Sequence, residues 1–149
     1  MKKVIIVYDS RTGHTEEMAQ YIAEGLRFSG TEVELKKVNQ IKKEQDLEGY
    51  DGYIFGSPTY HKDMIGTMKT FLFLAQKAPL RDKLAGAFGS STHSGEAPKL
   101  ILDTMEYVFK MRPFSLGPFK LTEDNISTRE GLKACQDYGK AFGEELQKL

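Results

Sequence analysis

Seven consecutive residues, Asp9-Ser10-Arg11-Thr12-Gly13-His14-Thr15, combine three hydroxyls, a glycine and two basic side chains. Hydroxyls and backbone N–H groups around a glycine make an anion-binding turn, because an oxyanion needs donors and a backbone it can approach closely. Two more stretches have similar chemistry: Ser57-Pro58-Thr59-Tyr60-His61-Lys62-Asp63 and Ser90-Ser91-Thr92-His93-Ser94-Gly95. The first stretch lacks the Gly-Lys-Ser/Thr ending of a nucleoside-triphosphate loop. It is not a cysteine phosphatase loop either, since the lone Cys135 stands far away in the chain.

The flanking pattern says what must position these residues. Val4-Ile5-Ile6-Val7 reads as a buried strand over about 3–8. Met18, Ile22 and Leu26 recur at helical spacing, which predicts a helix over 14–28 ending at Ser29-Gly30. The seven residues are then a strand-to-helix turn. The first N–H groups of such a helix have no internal partner, and its dipole favours an anion there. An N-cap would account for one hydroxyl, whereas three around a glycine favour a phosphate.

The remaining elements follow by the same reading. Val33 and Leu35 alternate with charges, as in a strand near an edge, and residues 39–50 are polar with at most a short helix. Tyr53-Ile54-Phe55-Gly56 is a buried strand, followed by a helix over 64–77 with Ile65, Met68, Phe71, Leu72 and Ala75 inward. Ala85-Gly86-Ala87-Phe88-Gly89 suits the crowded centre of a sheet covered on both faces. A helix over 96–110 follows, with Ala97, Leu100, Ile101, Met105 and Val108 inward. Leu116–Leu121 holds a last strand interrupted by Gly117-Pro118, and a helix over 128–148 carries Leu132, Cys135, Tyr138, Phe142 and Leu146.

Strands alternating with helices imply an α/β fold: a doubly wound parallel sheet with helices on both faces. Ligands of such sheets bind outside the carboxyl ends of the strands, where strand order reverses. All three hydroxyl-rich stretches leave carboxyl ends of strands, so one composite site is expected. The 149 residues fit one domain, 1–149, with 21 basic side chains against 21 acidic ones. That balance gives no support for a nucleic-acid or polybasic membrane role. The N-terminus is too weakly apolar for a leader or a span, and one cysteine fits a cytoplasmic setting.

Ser10-x-Thr12-Gly13-x-Thr15 after a first strand resembles the phosphate loop of the flavodoxin family. The resemblance runs over nearly the whole chain and implies a three-layer, five-stranded sheet of order 2-1-3-4-5. It implies FMN as cofactor, held by Ser10, Arg11, Thr12, Gly13, His14 and Thr15 at the phosphate. Pro58, Thr59, Tyr60, His61, Lys62 and Asp63 would lie beside the ring, and Ser90, Ser91, Thr92, His93, Ser94 and Gly95 at its pyrimidine end. Ala87-Phe88-Gly89-Ser90, Ser94-Gly95-Glu96-Ala97 and the tail from Cys135 to Lys140 are similar to the flavodoxin module of flavo-diiron proteins. Gly13-His14, Ser57-Pro58-Thr59 and Met64 to Phe71 resemble NAD(P)H:quinone reductases of the tryptophan-repressor-binding-protein type. The chain lacks the diiron domain of the first and the insertion of the second.

The resemblance leaves three functions open: an electron carrier between redox partner proteins, an NAD(P)H-dependent flavin or quinone reductase, and a cofactor-free scaffold. Oligomeric state is not set by the sequence. Arg11 either touches the phosphate or points to solvent, while His14 reads as surface or packing. In the family a peptide of the second loop turns its carbonyl toward the ring on reduction, which wants a residue tolerant of positive φ. His61-Lys62-Asp63 offers no glycine, which weighs against a strongly stabilised one-electron-reduced flavin. Arg11, His61, Lys62 and His93 against Asp63 and Glu96 imply a less negative potential than acidic surroundings would set.

Overall fold

A computed structural model describes residues 1–149. The apolar run near the N-terminus forms β1 (Lys3–Tyr8), with its last five residues buried. Helix α1 (His14–Phe28) and the strand β2 (Glu32–Lys37) follow, then two 3-10 turns at Val38–Gln40 and Glu44–Leu47. Next come β3 (Gly52–Gly56), a two-residue-per-strand hairpin of β4 (Thr59–Tyr60) and β5 (Asp63–Met64), and α2 (Gly66–Ala75). The central strand β6 (Leu84–Ser91) leads to α3 (Ala97–Asp103), which continues as a π-helical turn over Thr104–Val108. The chain closes with β7 (Arg112–Pro113), β8 (Phe119–Thr122), the single turn α4 (Glu123–Ile126) and α5 (Arg129–Gln147).

All main-sheet pairings are parallel, in the order β2-β1-β3-β6, with β7 and β8 both on the far side of β6. β7 pairs Leu84 and Ala85 at the start of β6, and β8 pairs Phe88 to Ser91 at its end. They are two halves of one interrupted fifth strand, so the expected order 2-1-3-4-5 holds. The strand begins at Arg112 rather than Leu116, because the break at Gly117-Pro118 falls inside it.

Side chains alternate between two apolar layers. Ile5, Val7, Tyr53, Phe55, Ala85 and Ala87 face α2 and α3, whereas Val4, Ile6, Tyr8, Ile54, Leu84 and Phe88 face α1 and α5. β6 is buried at all eight positions. Its small residues leave room on both faces, and burial rather than propensity makes it a strand. β2 alternates exposed with half-buried residues, as an edge strand should.

Two helices depart from the periodic reading. α2 begins at Gly66 rather than 64, because Met64 is paired with Thr59 in the hairpin. Its inner residues Ile65, Met68, Phe71, Leu72 and Ala75 are all buried as expected. In the helix after β6, Ala97, Ile101 and Met105 are buried but Val108 is 50% exposed and Leu100 39% exposed. The π turn winds more residues into one turn, so Phe109 takes the core place that 3.6-residue spacing assigns to Val108.

α1 and α5 approach closely along a run of glycines. A Cβ on Gly139 would lie 2.0 Å from the Ile22 carbonyl oxygen, and one on Gly25 would lie 1.9 Å from that of Gln136. Neither backbone can yield without separating the helices. Gly139→Ala is therefore expected to lower unfolding free energy in urea by about 1–3 kcal/mol. Gly66→Ala, at a helical position with nothing within 4 Å, is expected not to lower it and to raise it by up to about 1 kcal/mol.

Candidate functional site

The turn after β1 is built around Gly13. It is the N-cap of α1 and has φ 93°, a left-handed conformation that by itself selects glycine, although a Cβ would meet nothing within 4 Å. Its N–H donates to Ser10 Oγ at 3.0 Å, and its carbonyl accepts from Glu17 N at 3.0 Å. No side chain caps α1, so the first N–H groups of the helix at His14, Thr15 and Glu16 remain available as donors. The Arg11 and Thr12 amides have no acceptor in the backbone network either.

The two carboxylates at this helix start are drawn aside. Glu16 accepts from Tyr8 OH at 3.1 Å and lies 3.8 Å from Lys37 Nζ, and Glu17 accepts from Ser127 Oγ at 2.8 Å. Burial, and then the Glu16 carboxylate, push the Tyr8 phenol up to about 12, so it stays a donor. An array of amides at a positive helix end, with nearby acids engaged elsewhere, suits a phosphate.

Not every predicted hydroxyl reaches this array. Thr15 is 1% exposed and its Oγ1 is 2.8 Å from Ser90 Oγ, so both hydroxyls tie α1 to β6. Thr12 Oγ1 lies 2.7 Å from His14 Nδ1, and that ring stands 3.7 Å from Glu123 Oε2. Ser10 and Thr12 are the hydroxyls left at the turn. Ser90 and Ser91 are not loop residues: both are buried strand positions, paired with Leu121 and Thr122 of β8. The third loop is therefore shorter, 92–96, and the hydroxyl content of Ser90 serves packing. Ser91 Oγ donates to the His93 carbonyl at 3.3 Å and shapes the loop start. Thr92, His93 and Ser94 are exposed, and Gly95 sits against Lys120 and Ser91.

The second loop is a hairpin. Thr59 pairs with Met64 and Tyr60 with Asp63, leaving His61-Lys62 as a two-residue turn. Both have positive φ, 51° and 64°, as a type I′ turn requires at its two central positions. The absence of glycine thus does not prevent left-handed backbone here. It is held at a cost of about 1–2 kcal/mol per residue. Pro58 and Thr59 are buried beneath the turn, and Thr59 Oγ1 accepts from Ala97 N at 3.0 Å. The Asp63 carboxylate is bonded to Lys69 on α2, which holds its pKa below the usual range.

Arg11 takes a place the sequence did not suggest. Its guanidinium carbon stands 5.2 Å from the Tyr60 ring centroid, bridging the first and second loops by a cation–π contact. Other ties came from residues absent from the sequence-based site. Asp9 accepts from Thr67 Oγ1 at the start of α2 and from its neighbour Ser10 N at 2.8 Å. Ser57 is fully buried; its Oγ accepts from Ile65 N at 3.2 Å and donates to the Pro58 carbonyl at 2.9 Å. Of these, only Asp9–Thr67 is distant in sequence, and a hydroxyl or carboxylate type was the one hint to each. Glu96, at the start of α3, has one buried carboxylate oxygen with no partner.

Three loops thus converge at the carboxyl ends of β1, β3 and β6, at the point where strand order reverses. The family description "Flavodoxin" matches residues 6–134. The chain belongs to the flavodoxin family. A protein named diflavin flavoprotein A 3 of Synechocystis sp. is 31% identical over 148 residues, covering 97% of this chain and 24% of its own length. The chain spans about a quarter of the length of the curated relatives it matches. Among solved structures, a flavodoxin from the domain Archaea superposes with TM-score 0.89 at 27% identity, covering 97% of this chain and 99% of that one. The Flv1 flavodiiron core from Synechocystis sp. gives TM-score 0.86 at 25% identity, covering 99% of this chain and 36% of that one.

The site's internal ties carry a testable cost. Ser90→Ala leaves the buried Thr15 hydroxyl without its partner and is expected to destabilise the fold by about 1–3 kcal/mol in urea.

Proposed function

We propose that this chain binds FMN across the three loops and serves as an electron-transfer protein. The observation that carries the reading is the uncapped start of α1, with Gly13 in left-handed conformation and the amides of residues 11, 12 and 14–16 free to donate. Those donors, with Ser10 and Thr12 hydroxyls, hold the phosphate. In this fold FMN lies at the β1/β3 switch point, which puts the ring between the hairpin at 59–64 and the loop at 92–96. FMN, when bound, supplies the electron-accepting chemistry; the protein supplies binding, orientation and electrostatics.

Each loop has a defined part. Tyr60 offers an aromatic face, reached once Arg11 swings from it toward the phosphate or solvent. The His61–Lys62 turn holds its peptide in one strained orientation beside the ring. Backbone N–H groups of Thr92 to Gly95 meet the ring's pyrimidine oxygens. The unpartnered Glu96 oxygen is an acceptor for a ring N–H. With Asp63 neutralised by Lys69, the charges left at the loops are Arg11 and Lys62 against Asp9 and Glu96. This balance supports a potential less negative than acidic surroundings would set.

No helix is long and apolar enough to cross a membrane. The one thiol, Cys135, is buried, and burial pushes its pKa up to about 12, which keeps it in the unreactive protonated form. These features fit a cytoplasmic carrier whose partners are other redox proteins. The competing reading is a reductase that draws hydride from NAD(P)H and passes electrons to a quinone.

Titrating the flavin-free protein with FMN and with riboflavin, and following flavin fluorescence, tests the reading. Charge-assisted hydrogen bonds to phosphate at about 1.5–3 kcal/mol each predict riboflavin at least about a hundredfold weaker. Equal affinities, or no binding of FMN, would overturn the proposal. Stopped-flow mixing of the FMN-loaded protein with NADPH or NADH then decides between carrier and reductase, bleaching at catalytic speed favouring the reductase.

A further inference from the structure

An apolar groove of about 320 Å³ runs between α2 and the π turn after α3, lined by Met64, Leu72, Phe73, Val108 and Phe109 with the polar Lys69, Gln76 and Thr104. Phe73 is 73% exposed on one bank and Val108 is half-exposed on the other, with Tyr107 beside it. Large apolar side chains grouped this way on a surface mark a contact site. The groove adjoins the candidate flavin site directly, since Met64 is the hairpin residue paired with Thr59.

The π turn is a second, independent observation. An α-helical continuation of α3 would bury Val108 in the core. The inserted residue instead rotates Tyr107 and Val108 to the surface and puts Phe109 inside. Such insertions are rare and concentrate at functional sites.

Charge says what fits there. Lys69 is neutralised by Asp63, and Lys99 pairs with Asp103 at 2.8 Å. That leaves Lys62, two residues before Met64, Lys77 next to Gln76 and Lys110 next to Phe109, all exposed and without a salt-bridge partner, against Glu106 and, beside Lys110, Asp82. An apolar groove whose lining residues are flanked in the chain by three unpaired lysines complements an acidic surface with an apolar protrusion.

We propose that this groove docks a small acidic electron-carrier protein, which seats an apolar side chain against Phe73 and Val108 and brings its redox centre beside the hairpin. The proposal rests on the FMN reading above. In each encounter one electron passes from the reduced carrier to the flavin, leaving the carrier oxidised. Two encounters, with protons from solvent, complete the reduction.

The test is stopped-flow reduction of the FMN-loaded protein by a reduced acidic two-iron ferredoxin. The second-order rate constant is expected to fall as salt rises from about 20 to about 300 mM. Lys77→Glu with Lys110→Glu is expected to lower it on the order of tenfold at low salt. Phe73→Ser is expected to lower it severalfold, with FMN affinity unchanged. A rate indifferent to salt and to both substitutions would overturn the proposal. So would sedimentation showing a dimer that Phe73→Ser dissolves, which would give the groove to a second copy. Should FMN fail to bind, the functional reading falls by itself. Calorimetric titration of ferredoxin into the flavin-free protein and the same variants then decides the docking proposal, with loss of binding in the variants supporting it and no binding to the parent overturning it.

Discussion

A buried hydrogen bond between Thr15 and Ser90 sets where α1 begins relative to the centre of the sheet. Neither hydroxyl can be satisfied by water, so each needs the other, and a buried unpaired hydroxyl costs more than the bond gains. The first turn of α1 is thereby held over the end of β6. The loop from β1 must reach it in a few residues, and Gly13 in the left-handed region makes that possible. The free amides at the helix start follow from that geometry. Further ties lock the neighbouring loops to the same frame: Asp9 to Thr67, Ser57 to Ile65, and Thr59 to Ala97. The candidate site is tied to the sheet where it would hold a phosphate and strained where it would meet a ring, at His61 and Lys62.

The sheet itself was legible in the sequence because burial on both faces writes an unbroken apolar run. Val4 to Val7 and Tyr53 to Gly56 needed no context, and Ala85 to Gly89 needed only the argument that small residues suit a crowded centre. The ends of elements were less legible. Met64 has helical spacing with Met68 and Phe71 but is taken by the hairpin, since pairing with Thr59 satisfies backbone groups that a longer helix would otherwise satisfy. Val108 matches helical period, yet a single inserted residue changes the phase after Asp103, and nothing in the side-chain pattern announces it.

The site was legible as three stretches but not as an assignment of each side chain. A hydroxyl in sequence does not say whether it faces a ligand or a neighbour. Ser10 remains at the turn, whereas Thr15, Ser57, Thr59 and Ser90 are spent on tertiary bonds. Positive φ at His61 and Lys62 was hidden for a different reason. A two-residue loop imposes that geometry through the strands it joins, and the residues comply at a cost. Arg11 had two imagined places, phosphate and solvent, and took a third on Tyr60, which only proximity in space could reveal.

The proposed FMN site has its phosphate at the backbone amides that start α1, and phosphorus NMR reads that group alone. Free FMN phosphate titrates near a pKa of about 6. In the complex its resonance is expected to stay fixed from about pH 5 to pH 8, because donors fixed in the protein hold the dianion. A bound flavin whose phosphorus signal titrates as it does in free solution would contradict the account.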